Sequence, residues 1–180
     1  DRITTRPIKG TLRRGLDPKH LLASEKDRAE LLMITDLERN DLGKICETGT
    51  VVADPLFGVE SFAQVHHLVA TVSGTLKKGM AATSVFGALF PGGSVTGAPK
   101  IRALQIIKEL ESEPRSVYTG ALGFISDGRA QFNLPIRTMT KVGEDVFFHA
   151  GCGIVADSEP SGEFDEMMAK ASGMIKALGL

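Results

Sequence analysis

Three apolar, strand-like runs fill residues 116–155 with almost nothing between them. They read SVYTGALGFIS, AQFNLPIRTMT and DVFFHAGCGIV, joined by Asp127-Gly128 and by Gly143-Glu144-Asp145. Connections this short join strands as hairpins, so the runs are expected to form an antiparallel meander. Helical patterns surround it. Residues 18–42 read as a long helix with apolar positions at Leu21, Leu22, Leu31, Leu32, Ile34 and Leu37 and with Gly43 as a stop. Residues 80–89 read as a short helix, 98–111 as a helix with Pro99 in its first turn, and 163–178 as the last helix. TGTVVADPLFGVESF reads as a strand that turns at Asp54-Pro55, and VHHLVATVSGTL as a second strand. Helices and strands mix without βαβ alternation, so the expected fold class is α+β.

Charge and length exclude several function classes. Lys and Arg number 21 against 22 Asp and Glu, and no basic block stands out, which argues against nucleic acid and an anionic membrane surface as partners. The longest nearly apolar stretch, residues 80–90, is far below the ~20 residues that span a bilayer. Cys46 and Cys152 form no CxxC pair and read as reduced, packed thiols of a cytoplasmic protein. The 180 residues suffice for one domain or part of a larger one. They open on Asp1 with no signal peptide and no element before residue 8, and read as a fragment of a longer chain.

Candidate chemistry is concentrated in a few places. On the last helix, at about 100° per residue, Glu163, Glu166 and Lys170 line one edge of the apolar face formed by Phe164, Met167, Met168, Ala171, Met174, Ile175 and Leu178. Asp165, Ser172 and Lys176 lie on the solvent side. An ordinary i, i+4 ion pair or a carboxylate pair meeting a cation in a cleft both fit. The first helix repeats the pattern with Asp27 and Glu30 beside Leu31 and Ile34. Four hard oxygen ligands suit Mg²⁺, whereas surface salt bridges with Lys26 and Arg28 are the plainer reading. PGGSVTGAPK places three glycines before a helix N-terminus, an anion site by its backbone N–H groups, yet lacks the GK[ST] ending of a nucleotide loop. GCGIVAD lacks the third glycine of a dinucleotide fingerprint. Tyr118 and Arg137 fall in strands, and Arg137 calls for an anionic partner, internal or bound. Of His66 and His67, adjacent on a strand, one faces in and one out.

RPIKGTLRRG sets Lys9 between a buried-looking Ile8 and Gly10. A lysine in a short, Pro- and Gly-bounded apolar segment is either an ordinary strand-edge residue or one held in a pocket for nucleophilic chemistry.

In order, RPIKGT, DRAELLMITDLERNDLG, HHLVATVSGTL, FPGGSVTGAPKIRALQIIKELE, YTGALGFIS, NLPIRTM, GCGIVADS and GEFDEMMAK resemble the chorismate-utilising enzymes, the family of anthranilate, aminodeoxychorismate, isochorismate and salicylate synthases. The resemblance runs through the whole chain. It implies a sandwich of antiparallel sheets with helices packed outside, of which residues 1–180 are the C-terminal catalytic region, the N-terminal part being absent. It implies Mg²⁺ held by Glu30 and Glu166, with Asp27 and Glu163 helping through water, and chorismate as substrate. Tyr118 and Arg137 would hold the enolpyruvyl carboxylate, with the backbone of Gly153 and with Lys170 nearby. His67 matches the family histidine near the ring, and Thr96 borders the substrate from the glycine loop. PIKGT, with lysine rather than the alanine usual in the anthranilate branch, is similar to the aminodeoxychorismate branch. There Lys9 would be the nucleophile, with ammonia supplied by a glutamine amidotransferase and the product destined for 4-aminobenzoate and folate. Anthranilate or isochorismate synthesis, and a non-catalytic dicarboxylate-binding fragment, are the alternatives.

Overall fold

The computed structural model describes residues 1–179, which divide into two compact units, the first Asp1–Ser94 and the second beginning at Val95. The first unit carries β1 (Arg2–Thr5), β2 (Ile8–Arg13), α1 (Lys19–Ala23), α2 (Glu25–Ile45), β3 (Val52–Ala53), β4 (Gly58–Ser61), β5 (Val65–Val69), β6 (Val72–Thr75) and α3 (Ala82–Leu89). Two three-stranded antiparallel sheets result, β1-β6-β3 and β2-β5-β4.

VHHLVATVSGTL, expected as one strand, is therefore two strands in different sheets. The break has a backbone cause. Pro7 and Pro55 cannot donate to a ladder. Level with them, Ala70 N–H donates to the Pro7 carbonyl at 3.1 Å and Thr71 N–H to the Pro55 carbonyl at 2.9 Å. All three chain segments change sheet at the same place, so the pair of sheets is one bent three-stranded ribbon.

The helix expected over residues 18–42 is interrupted at Ser24, whose extended backbone ends α1 and whose Oγ accepts from the Asp27 N–H at 3.2 Å to cap α2. Gly43 does not stop α2, which continues to Ile45. This 21-residue helix packs on both sheets, against β2 and β5 of one and β3 and β6 of the other. Its N-terminal half packs Leu31 with Leu21, Leu68 and Ala70, and its C-terminal half packs Leu42 and Ile45 with Cys46 and Val72.

The second unit carries α4 (Lys100–Leu110), β7 (Leu122–Ser126), β8 (Arg129–Asn133), β9 (Met139–Val142), β10 (Asp145–Phe148) and α5 (Pro160–Ala177). Asp127-Gly128, with both φ positive, closes the β7–β8 hairpin, and Gly143-Glu144 closes β9–β10. These are two separate hairpins, not the expected meander. Pro135 and the left-handed backbone of Arg137 (φ 50°) interrupt the middle run before it can pair on both sides. Pro160 occupies the first turn of α5, where its missing N–H costs no helical bond. Of the apolar face expected on α5, Ala171 and Met174 are buried, whereas Phe164 and Met168 are exposed. The α+β class stands, with helices and antiparallel sheets in one chain. No helix among the described residues is long and apolar enough to cross a membrane.

Leu42, fully buried between α2 and β6, is expected to lose about 2–5 kcal/mol on truncation to alanine, through lost transfer energy and the cavity left behind. Leu32, half-exposed on the same helix, is expected to change by less than about 0.5 kcal/mol. Urea unfolding midpoints of Leu42→Ala and Leu32→Ala check the contrast.

Candidate functional site

In the first unit, β2 and α2 bring three of the predicted side chains together. Between Lys9 and Thr11 the β2–β5 register shifts, with Gly10 as the extra residue. Gly10 has φ +76°, and a Cβ there would stand 2.9 Å from the Asp27 Cγ. Only glycine fits both conditions. The bulge lets α2 press Asp27 onto the strand, and one turn further along the helix Glu30 meets Lys9, with Nζ to Oε2 at 3.6 Å. Lys9 is 28% exposed and Glu30 38%, so the pair stands at a partly shielded edge. Ile8 is not buried as expected but 51% exposed. The strand segment's buried member is Pro7.

The bulge also delivers Thr11 to His67, with Oγ1 and Nδ1 2.9 Å apart. The His67 ring rests against Phe62 at 5.4 Å. The two adjacent histidines divide as the strand alternation requires. His66 is buried, with Nδ1 2.7 Å from Ser61 Oγ and 3.2 Å from Arg14 Nη1, a satisfied core histidine. His67 is the accessible one.

In the second unit, α5 and the loop after β10 form the other constellation. Glu166 pairs with Lys170 at 2.6 Å, and Lys170 Nζ also reaches the Gly151 carbonyl at 3.4 Å. Glu163 Oε1 accepts from Ser158 Oγ at 2.6 Å, and the Cys152 thiol donates to the Glu163 carbonyl at 3.1 Å. Ligand atoms of Cys152, Glu163 and Glu166 lie within 4.8 Å of one another. Burial pushes the Cys152 thiol up, against the lowering influence of Lys170. A protonated, soft sulfur contributes little to a hard dication, so the magnesium-compatible donors here are the two carboxylates. Glu163 and Glu166 in the second unit bring two carboxylates together, whereas in the first unit Asp27 lies against Gly10 and Glu30 against Lys9, one helical turn apart.

Tyr118 and Arg137 are not in strands. Tyr118 lies in the turn between α4 and β7, and Arg137 in an exposed bend between β8 and β9. The turns need left-handed backbone at Ser116 (φ 52°), Thr119 (φ 59°) and Arg137, which extended pairing does not supply. Thr119 N–H donates to the Pro135 carbonyl at 2.8 Å and so brings the two turns alongside each other. Arg137 makes no ion pair among the described residues. The Tyr118 ring stacks on His149 (5.4 Å, 12°), and its hydroxyl lies 3.1 Å from where a Gly151 Cβ would stand. Thr96 is half-buried in the turn that leads to α4. Gly153 is exposed, and a Cβ there would touch nothing.

Thr11, Arg115 and His149 are site neighbours that the sequence does not single out, and Cys152, read there only as a packed thiol, stands beside Glu163. Thr11 was within reach, as part of the PIKGT segment. Arg115 stands four residues after Glu111, a spacing that places an ion pair at a helix end. His149 carries no local signal, because chain folding alone stacks it on Tyr118.

A family described as "chorismate binding enzyme" matches residues 1–176. The chain is 46% identical to the aminodeoxychorismate synthase component 1 of Escherichia coli (strain K12), over 98% of the chain and 41% of the relative. It is 45% identical to the anthranilate synthase component 1 of Aquifex aeolicus (strain VF5), over 98% of the chain and 37% of the relative. Among solved structures, anthranilate synthase component I from Streptococcus pneumoniae superposes with a TM-score of 0.82 at 38% identity, covering 96% of this chain and 40% of that one. The menaquinone-specific isochorismate synthase MenF from Escherichia coli superposes with a TM-score of 0.83 at 27% identity, covering 96% and 41%. The chain thus spans about two-fifths of the length of these relatives.

One pH dependence follows from the Arg115 environment. Two hydrogen bonds from Arg115 hold the Glu111 carboxyl below the usual carboxylate range, opposed by partial burial and assisted by the Arg115 and His149 charges. A carboxyl lowered in the folded state contributes stability above its unfolded pKa and loses it as pH falls through the folded value. Glu111→Gln is expected to be less stable than the parent at neutral pH, with the difference shrinking on acidification. Urea midpoints measured against pH check it.

Proposed function

Because the chain belongs to the chorismate-binding enzyme family, we propose that it is the catalytic C-terminal region of an aminodeoxychorismate synthase component I. The reaction would convert chorismate and ammonia to 4-amino-4-deoxychorismate and water, with ammonia from a glutamine amidotransferase. The observation that carries this reading is Lys9, set by the Gly10 bulge at a partly shielded edge 3.6 Å from Glu30. Relatives named aminodeoxychorismate synthase and anthranilate synthase stand at nearly the same identity, so the branch rests on this residue.

In this reading the neutral Lys9 amine adds to C2 of chorismate and the C4 hydroxyl leaves. Ammonia then adds at C4 and displaces Lys9, and the pyruvyl group is retained. An amine attacks only through its free lone pair. Glu30 beside Lys9 orients the side chain and offers a carboxylate where a proton can reside. Thr11 fixes the His67 ring through Nδ1 and leaves Nε2 directed away from that bond. Tyr118 and Arg137 bind a carboxylate, Arg137 in its exposed bend being a cation with no ion pair among the described residues. The Gly153 backbone and Lys170 border the same anion, and Thr96 lines it from the glycine loop. Glu30 and Glu166 would supply carboxylate oxygens to magnesium, with Asp27 and Glu163 in support. When bound, the metal acts as a Lewis acid toward the leaving hydroxyl and neutralises the ring carboxylate. Both principal carboxylates are paired with lysines, Glu30 with Lys9 and Glu166 with Lys170, which keeps each charge compensated until a dication takes it.

Incubating the protein with chorismate, Mg²⁺ and ammonium is expected to give 4-amino-4-deoxychorismate by chromatography and mass spectrometry. Anthranilate or isochorismate would retain the family and refute the branch. Lys9→Ala is expected to lower the aminated product by about 10²-fold or more, since a covalent route is removed. An unchanged rate and product distribution would sink the nucleophile role. Glu166→Gln is expected to abolish turnover at limiting Mg²⁺ and to weaken Mg²⁺ binding in calorimetry. Unaltered Mg²⁺ affinity would remove Glu166 from the metal site.

A further inference from the structure

We infer that Arg115 is a positioning residue that locks the Tyr118 turn to the glycine-loop segment bearing Thr96. Each nitrogen of its guanidinium donates a hydrogen bond. Nε and Nη2 donate to the two Glu111 oxygens at 2.8 and 2.6 Å. Nη1 donates to the Val95 carbonyl at 2.9 Å and to Thr119 Oγ1 at 3.3 Å. Four of the five N–H donors of a guanidinium are thereby used, so this arginine is not a substrate ligand.

What those bonds join matters. Val95 immediately precedes Thr96, Thr119 immediately follows Tyr118, and Glu111 ends α4. The guanidinium also lies over the Tyr118 ring, with Cζ 6.0 Å from its centroid. The Arg115 side chain is 25% exposed, unlike the half-exposed guanidinium of Arg39, which pairs with Asp36 on the surface of α2. Ser116 and Thr119 flank Tyr118 with left-handed backbone, a conformation that non-glycine residues keep only where their surroundings over-determine it. The Arg115 bonds to Thr119 and Val95 are such surroundings. A lysine in its place has three rotatable donors on a point charge and no planar fork to reach Glu111, Val95 and Thr119 together.

The consequence for substrate rests on the functional reading above, in which Tyr118 and Thr96 touch chorismate. The test separates the two. In substrate-free protein carrying 3-fluorotyrosine, the ¹⁹F resonance of Tyr118 is assigned by its loss in Tyr118→Phe. Arg115→Lys is expected to shift and broaden that resonance. The same variant is expected to raise the chorismate KM about tenfold while kcat changes less than about threefold, as befits lost binding geometry. A resonance that stays in place, or a KM unchanged despite a moved resonance, overturns the inference. If the parent protein does not use chorismate, the functional reading fails on its own, and the resonance then decides whether Arg115 positions the ring. If Arg115→Lys does not fold, Thr119→Val removes only the Thr119 hydroxyl. It should move the resonance and KM in the same directions by smaller amounts, and no movement overturns the inference.

Discussion

The first unit depends on one extra residue in a strand. Along β2, Ile8 pairs with Val69 and Lys9 with Leu68, and then Thr11, not Gly10, pairs with His67. Side chains alternate across a strand, so a one-residue slip exchanges faces. Lys9 thus shares the helix-facing side with Leu68, and beyond the bulge it is Leu12 that takes up that side and packs into the core around Leu31. Without the slip, Lys9 and Leu12 would lie on opposite faces, and α2 could not meet both. Thr11 is turned the other way, onto His67. Gly10 permits this because its backbone is left-handed and its missing side chain leaves room for Asp27.

A symmetry of charge runs through the two units. Each has a glutamate expected to serve a metal, and in each a lysine compensates it: Glu30 with Lys9, Glu166 with Lys170. A part-exposed ion pair of this kind is worth little in stability, on the order of 0–1 kcal/mol. Its value lies in orientation. The lysine holds the carboxylate in one place at little energetic cost to displacement.

Much of this was legible in the sequence. The ordered motifs pointed to the family, and the hairpin turns at Asp127-Gly128 and Gly143-Glu144 followed from residues that tolerate positive φ. The helical spacing on α5 put Ala171 and Met174 inside and Glu163 and Lys170 at the margin, as found, but Glu166, Phe164 and Met168 are exposed. The break at Ser24 was readable too, since serine three residues before Asp27 is a helix-start signal, but the apolar period across residues 18–42 obscured it. Tyr118 and Arg137 were not legible. Their neighbours favour strands, and the turns that hold them are stabilised by Arg115 and by the Thr119–Pro135 bond, contacts distant in sequence or beyond local propensity. The split of VHHLVATVSGTL was hidden for a similar reason: the prolines that force it stand in other segments.

The bent ribbon of the first unit is spanned by a single helix, α2, which contributes Leu31 to one buried cluster and Leu42 and Ile45 to the other. Neither cluster can open while the other keeps the helix intact and docked, unless the helix itself breaks between them. Thr35, buried at that midpoint, donates its hydroxyl to the Leu31 carbonyl at 2.7 Å, so its polar group is satisfied inside the packed face. The two clusters therefore behave as one cooperative unit toward local unfolding. Amide protons near the middle of α2 are expected to exchange among the slowest of the unit.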